Sequence, residues 1–384
     1  MTVTAIVSEY NPFHNGHLYQ IQKIKEMFPD SVIVSVMSGS LVQRGEIALF
    51  SKYERAKIAV QNGVDAVFEL PSVYSNAPAN IFASAAVHIT KQLTGIDYIC
   101  FGSEAGELAP LAFAAEKTAC ADFESKLRGR IKANKSAGYP KNVYELFCEL
   151  YGAEKAAVLN GSNNILGIEY LKALGQQGPR PITIERTGAD YSAGASFIRG
   201  GLASPEIENL MPARAYAAFR ELITGGKYAD TRNLGAAVIS YINRLDAEQI
   251  AKIAEVADAG EAYRIKKALD GCFSYDALVK KLDAKHNTAS SVRRMILNVF
   301  FGISKETQKS PPDFTVLLAV SEKGREYLGG IKKKTGITIV TKPAGMRGNE
   351  TFEKNMFIDN TCKLALFDTD SEINAIKQKP YLNF

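Results

Sequence analysis

Apolar and polar positions along this chain fall into two textures. In the first two hundred residues, short β-forming runs recur at positions 3–7, 31–37, 64–70, 97–101 and 182–185, with helical patterns between them. Strand and helix alternating in this way predict an α/β fold built on a doubly wound parallel sheet. Ligands on such sheets sit beyond the carboxyl ends of the strands. Small residues stand at three of those ends, Ser8, Ser38-Gly39 and Gly102-Ser103, so three loops are expected to converge on one crevice.

Beyond about residue 205 the pattern changes to helices with short connections, over 213–224, 232–245, 261–269, 275–283 and 289–300. Lys309-Ser310-Pro311-Pro312 interrupts them. Strand-like runs at 314–320, 337–341 and 362–367, with a helix over 322–334, then read as a small α/β tail. The expected organisation is a sheet domain over 1–205, a helical domain over 206–310 and a small α/β module over 311–384. No internal repeat or low-complexity tract appears.

Two of the four histidines sit in one tetrapeptide, His14-Asn15-Gly16-His17, between the first strand run and the first helical pattern. Histidines three apart at a helix entry project to the same side, and Gly16 lets a ligand approach the backbone. The helix that follows offers its positive dipole end and N–H groups, so a triphosphate suits the place. Attack at a phosphorus needs positioning and stabilisation of nonbridging oxygens, which two imidazole donors at a helix start can supply. The plainer reading is that both histidines cap a helix. A zinc site is disfavoured, because two ligands lie here and His88 and His286 stand alone in sequence. A second group, Ser196-Phe197-Ile198-Arg199, follows the 182–185 run and the 188–194 loop. Placed at a helix start, its hydroxyl, backbone N–H and guanidinium could hold a leaving pyrophosphate.

Charge narrows the picture further. Residues 1–200 carry 19 Lys+Arg against 19 Asp+Glu, whereas residues 201–384 carry 27 against 22, which accounts for the whole net charge of +5. Eight basic side chains (Arg264, Lys266, Lys267, Lys280, Lys281, Lys285, Arg293, Arg294) crowd into 264–294 among Tyr263, Phe273 and Tyr275. That combination suits contact with a phosphate backbone, as it also suits a solvated helix face. Arg44, Lys52 and Arg55, near the end of the second strand run, are candidates for carboxylate or phosphate contacts; Lys52, Arg55 and Lys57 could equally belong to a solvated helix start. Asp65 and Glu69 read as strand-end polar groups. Five scattered cysteines without CxxC spacing fit unpaired thiols in a reducing cytosol. The apolar stretch over 77–89 is too short to span a bilayer, so a soluble cytoplasmic protein without membrane association is expected.

Longer motifs sharpen the reading. Ser8-Glu9-Tyr10-Asn11-Pro12-Phe13-His14-Asn15-Gly16-His17-Leu18, Val36-Met37-Ser38-Gly39, Gln43-Arg44-Gly45-Glu46, Glu69-Leu70-Pro71, Phe101-Gly102-Ser103-Glu104 and Asn163-Asn164-Ile165-Leu166-Gly167 together resemble the bacterial tRNA(Met) cytidine acetate ligase family, in the HIGH-motif nucleotidyltransferase superfamily. The resemblance implies ATP as substrate, with Mg²⁺ on its phosphates, and acetate and elongator tRNA(Met) as the other partners; no protein partner is indicated. Acetate would be activated as acetyl-adenylate and passed to N4 of the wobble cytidine. It further implies ATP contacts from Val7, Ser8, Glu9, Tyr10, Asn11, Pro12, Phe13, His14, Asn15, Gly16, His17, Leu18, Tyr19 and Gln20, and from Gly102, Asn163 and Arg186. His14, His17, Ser196 and Arg199 would be catalytic, and Lys266, Lys267, Arg293 and Arg294 would contact tRNA. No metal-ligating residues are expected. One position departs from the family pattern: Val316 stands where members carry an arginine in the strand opening the tail. The alternatives are an adenylyltransferase acting on a small phosphorylated acceptor, and a tRNA-binding protein with a vestigial nucleotide site.

Overall fold

The computed structural model describes residues 1–134, 138–186, 189–254, 259–283, 288–331, 334–367 and 379–383. Its strands are β1 (Val3–Ser8), β2 (Val32–Ser38), β3 (Leu41–Val42), β4 (Glu46–Ile47), β5 (Ala66–Leu70), β6 (Tyr98–Ser103), β7 (Arg180–Glu185), β8 (Phe314–Ser321), β9 (Thr338–Val340) and β10 (Tyr381–Asn383). The main sheet runs β10-β8-β5-β2-β1-β6-β7, with β9 also paired to β8. All pairs in it are parallel except β5 with β8. β2 shows why the sheet is central: Val32, Val34 and Val36 enter one hydrophobic cluster, Ile33 and Met37 the other, and every residue of the strand is buried. A strand that is apolar on both faces needs cover on both, which the flanking helices supply.

β1 pairs with β2 on one side and β6 on the other, in register Val3 with Val32 and Thr4 with Tyr98. The chain winds outward from β1 through β2 to β5 and then crosses back to β6. The order therefore reverses beside β1, and a crevice opens beyond the carboxyl ends of β1 and β6.

Residues 311–384 contain the expected mixture of helix and strand, but their strands extend the main sheet rather than forming a sheet of their own. β8 is buried through seven of its eight residues and lies between β5 and β10, in antiparallel register with β5 (Ala66 with Val320). Positions 362–367, expected as strand, are the end of the Glu350–Cys362 helix and a 3₁₀ turn at Lys363–Ala365. Ile358, Cys362 and Ala365, at helical spacing, fill the same core.

The expected helices of the middle region are present as Ala213–Thr224, Gly235–Arg244, Ala259–Leu269, Tyr275–Leu282 and Ala289–Phe301. The last of these packs on the β3–β4 hairpin. Gly45 there has φ +77°, and a Cβ on it would lie 2.5 Å from the backbone nitrogen of Arg294, so the turn needs glycine for both conformation and space. Among the described residues no helix is long and apolar enough to cross a membrane.

Candidate active site

β1 delivers the chain to the crevice through Tyr10, which is buried with φ +45°. Asn11 follows, its Oδ1 accepting from the Leu49 N–H at 2.7 Å. His14 is then the N-cap of the Asn15–Met27 helix. Its Nδ1 accepts from the Gly16 N–H at 3.0 Å, while His17 Nδ1 accepts from the His14 N–H at 3.1 Å. The pair forms a capping box made of two imidazoles, with ring centroids 3.9 Å apart.

This geometry settles the tautomers. A neutral imidazole that accepts at Nδ1 carries its proton on Nε2, so each ring keeps one N–H donor. Burial pushes the His14 pKa down to about 3, with Arg186 and Arg199 acting in the same direction. Burial likewise lowers His17, followed by the effects of His14 and Arg186. Both rings are therefore neutral donors near pH 7. The capping reading and the chemical one thus describe opposite edges of the same rings. The Gly16, His17 and Leu18 N–H groups all bond back to His14, so the helix start acts through its dipole more than through a row of open N–H groups.

The facing wall comes from β6, β7 and the segments that follow them. Arg186 donates from Nη1 to Asn163 Oδ1 at 2.8 Å. Its stem crosses Gly102, where a Cβ would stand 3.0 Å from the Arg186 Cγ and Cδ. Arg199 donates from Nη1 to the Asn11 carbonyl at 2.8 Å and lies 3.6 Å from Glu46. Arg44 Nη1 donates to Ser196 Oγ at 3.0 Å. Ser196 and Arg199 belong to the last two turns of the Ala189–Gly200 helix, not to a helix start as expected. Their side chains, and not free backbone N–H groups, are what they bring. Gly188, which opens the preceding loop, lies outside the described residues.

Together these walls enclose a cavity of about 1250 Å³. Of the residues expected in the site, Val7, Ser8, Glu9, Tyr10, Asn11, His14, His17, Gln20, Gly102, Asn163, Arg186, Ser196 and Arg199 line it. Gly16 and Tyr19 line a small adjoining recess. Pro12, Phe13, Asn15 and Leu18 line neither: Pro12 and Phe13 are buried, Asn15 Nδ2 donates to the Asn209 carbonyl, and Leu18 packs on the core. Ser38-Gly39 also stays out, because Gly39 is held by the Leu70 carbonyl and by Arg55. Gln43 and Arg44 of the following hairpin reach the cavity in its place.

Lys52 and Arg55 are structural, which corrects their candidacy as ligand contacts. Lys52 Nζ lies 2.7 Å from Glu69 and 2.5 Å from Asp359, all three buried. Arg55 donates to the carbonyls of Glu9, Gly39 and Phe50 and is 1% exposed. Lys57 sits over the Tyr381 ring. Asp65 accepts the Ile33 N–H at a strand end, as expected, whereas Glu69 belongs to the buried ion cluster. Of the basic group, Lys266 and Lys267 lie away from the cavity; Lys285 and His286 are outside the described residues. Arg293 binds Glu46 at 3.4 Å and Arg294 donates to the Gln43 carbonyl, so both meet the hairpin, and Arg294 also lines the cavity. The carboxylate of Glu104 holds the backbone and side chain of Asn163. Nothing in the sequence around Glu104 signals a bond to a helix start 59 residues away.

Comparison with known proteins agrees with this geometry. The family model described as HIGH Nucleotidyl Transferase matches residues 1–377. A tRNA(Met) cytidine acetate ligase of Clostridium botulinum (strain Okra / Type B1) is 34% identical over 368 residues, covering 89% of each chain. One from Lysinibacillus sphaericus is 32% identical over 366 residues, covering 90% of each. The crystal structure of Thermotoga maritima TmcAL bound with alpha-thio ATP superposes with a TM-score of 0.92 at 26% identity, covering all of both chains. The chain belongs to the HIGH nucleotidyltransferases and, within them, to the tRNA(Met) cytidine acetate ligase family.

Proposed function

We propose that this protein activates acetate with ATP and transfers the acetyl group to N4 of the wobble cytidine of elongator tRNA(Met), in the cytosol. One observation carries the reading: two neutral imidazoles, each keeping an Nε2–H donor, stand at a helix start beside the switch point of the sheet. Around them the same cavity gathers Arg44, Arg186, Arg199 and Arg294. Donors of this kind suit the oxygens of a triphosphate.

In the first step an acetate oxygen bonds to the α-phosphorus, and the bond from that phosphorus to the bridging oxygen breaks. His14 and His17 donate to the charge that develops on the α-phosphate, and pyrophosphate leaves toward Ser196, Arg199 and Arg44. In the second step the cytidine amine attacks the acetyl carbon, the acyl–phosphate bond breaks, and AMP departs with its freed phosphate oxygen taking up the proton that the amine loses. Held neutral, the imidazoles serve both steps as donors and not as bases. The cytidine must leave its stack to reach the crevice, at a cost of about a few kcal/mol that contacts elsewhere offset. Lys266, Lys267, Arg293 and Arg294 are the proposed tRNA contacts.

Among the described residues no group of three or more His, Cys, Asp or Glu side chains is placed to hold a metal. The donor set around the cavity is rich in guanidinium and imidazole, which suits phosphate oxygens better than a dication. Mg²⁺ would therefore arrive on the nucleotide's own phosphates.

The test uses labelled acetate, ATP and a tRNA(Met) transcript. Label should enter the RNA only with ATP present and should be absent from a transcript with uridine at the wobble position. Equal labelling of both transcripts would overturn the proposed acceptor.

A further inference from the structure

We infer that Glu104 is a positioning residue for the nucleotide, acting through Asn163 on Arg186. The inference rests on assigning the cavity to ATP. The Ser162–Leu174 helix has no side-chain cap of its own at Gly161. Glu104, in the turn after β6, supplies one from across the chain. Its Oε1 accepts from the Asn163 N–H at 3.1 Å and from Asn163 Nδ2 at 2.7 Å, and its Oε2 accepts from the Asn164 N–H at 2.7 Å. Asn164 returns a bond, its Oδ1 accepting from the Ala105 N–H at 3.0 Å. The fit is close, since a Cβ on Gly161 would fall 2.4 Å from Glu104 Oε2.

The consequence lies in the Asn163 amide. Because its Nδ2 is taken by Glu104, its Oδ1 is the atom that meets Arg186, at 2.8 Å. An amide without that restraint could turn its NH₂ toward the guanidinium, setting donor against donor. Arg186 is thus fixed twice, by Gly102 beneath its stem and by Asn163 at its head. The Glu104 carboxylate also favours the charged guanidinium, opposing the burial that lowers the Arg186 pKa. Three N–H groups converge on two carboxylate oxygens. Glutamine keeps the size of the side chain but offers one uncharged oxygen, which can hold Asn163 only as a neutral acceptor while its NH₂ is set against the Asn164 N–H, so Glu104→Gln should loosen the amide.

The experiment measures ATP affinity by calorimetry for wild-type protein, Glu104→Gln, Arg186→Ala and the double variant, alongside steady-state exchange kinetics. Glu104→Gln should bind ATP about tenfold more weakly, the scale of one lost charge-assisted hydrogen bond. The loss should appear in the KM for ATP and not in kcat, and Glu104→Gln should add nothing in the Arg186→Ala background. Unchanged affinity, or losses that add in full, would show Glu104 to be only a helix cap and overturn the inference. If Glu104→Gln fails to fold, Asn163→Ala takes its place, since it leaves the backbone bonds to Glu104 intact, and it must show the same non-additivity with Arg186→Ala. Wild-type protein that binds no ATP would overturn the assignment of the cavity, and this link with it.

Discussion

His14→Asn separates the two edges of one imidazole. Asparagine places Oδ1 where histidine has Nδ1, so it can still accept the Gly16 N–H that His14 takes at 3.0 Å. It is also among the strongest N-cap residues. What it lacks is anything at Nε2. Loss of one preorganised donor to a developing oxyanion costs about 10²–10³ in kcat, or about 2.7–4 kcal/mol of transition-state stabilisation. His14→Ala loses the same donor and the cap as well, a further cost of about 1 kcal/mol in stability. The two variants should therefore share the fall in acetate-dependent pyrophosphate exchange while His14→Asn unfolds at a higher urea concentration than His14→Ala. Near-wild-type exchange in His14→Asn would refute the donor assignment, and equal urea midpoints would refute the cap.

Three further outcomes follow from the same structure. Lys52→Met leaves Glu69 and Asp359, 0% and 5% exposed, facing each other without their cation; urea denaturation should show a loss of about 3–5 kcal/mol, and a loss below about 1 kcal/mol would mean that the cluster is hydrated. The unfolded chain binds a proton at His14 below pH 6.5 whereas the folded chain does not until about pH 3. That contribution is present above pH 6.5 and is lost as the pH falls below it, by up to about 1.4 kcal/mol per pH unit, so the stability gap between wild-type and His14→Asn should shift between pH 7 and pH 5. Lys266→Ala with Lys267→Ala should weaken tRNA binding and flatten its salt dependence by up to about one unit of slope for each phosphate no longer neutralised, with exchange untouched; equal loss of both activities would make these charges structural.

The parts legible in the sequence are those written in consecutive residues. The runs that form β1, β2, β5 and β6 announce themselves because buried parallel strands are largely apolar, the edge strand β7 by its β-branched Ile182-Thr183-Ile184, and the two histidines by spacing at a strand-to-helix junction. What pairs with what is not legible. β8 reads as a strand, yet nothing local says that it joins β5 from some 250 positions away, antiparallel, and so ties the tail to the main sheet. Burial of charge is equally hidden. Lys52 and Arg55 look like a solvated helix start because one of the carboxylates that hold Lys52, Asp359, and two of the carbonyls that hold Arg55, those of Glu9 and Gly39, come from distant parts of the chain. Ser196 and Arg199 stand out by residue type, but the helix that carries them begins earlier, at Ala189, so the sequence points to their side chains and not to their place in the helix. Glu104 is hidden for the same reason as Asp359: its partners are set by the fold.

The most direct test of the central claim is ATP–pyrophosphate exchange with purified protein, comparing acetate with glycine, propionate and no acid. Exchange that depends on acetate, with or without tRNA(Met) in the mixture, is the result expected of a carboxylate-activating ligase. ATP binding with no acetate-dependent exchange under either condition would contradict the account.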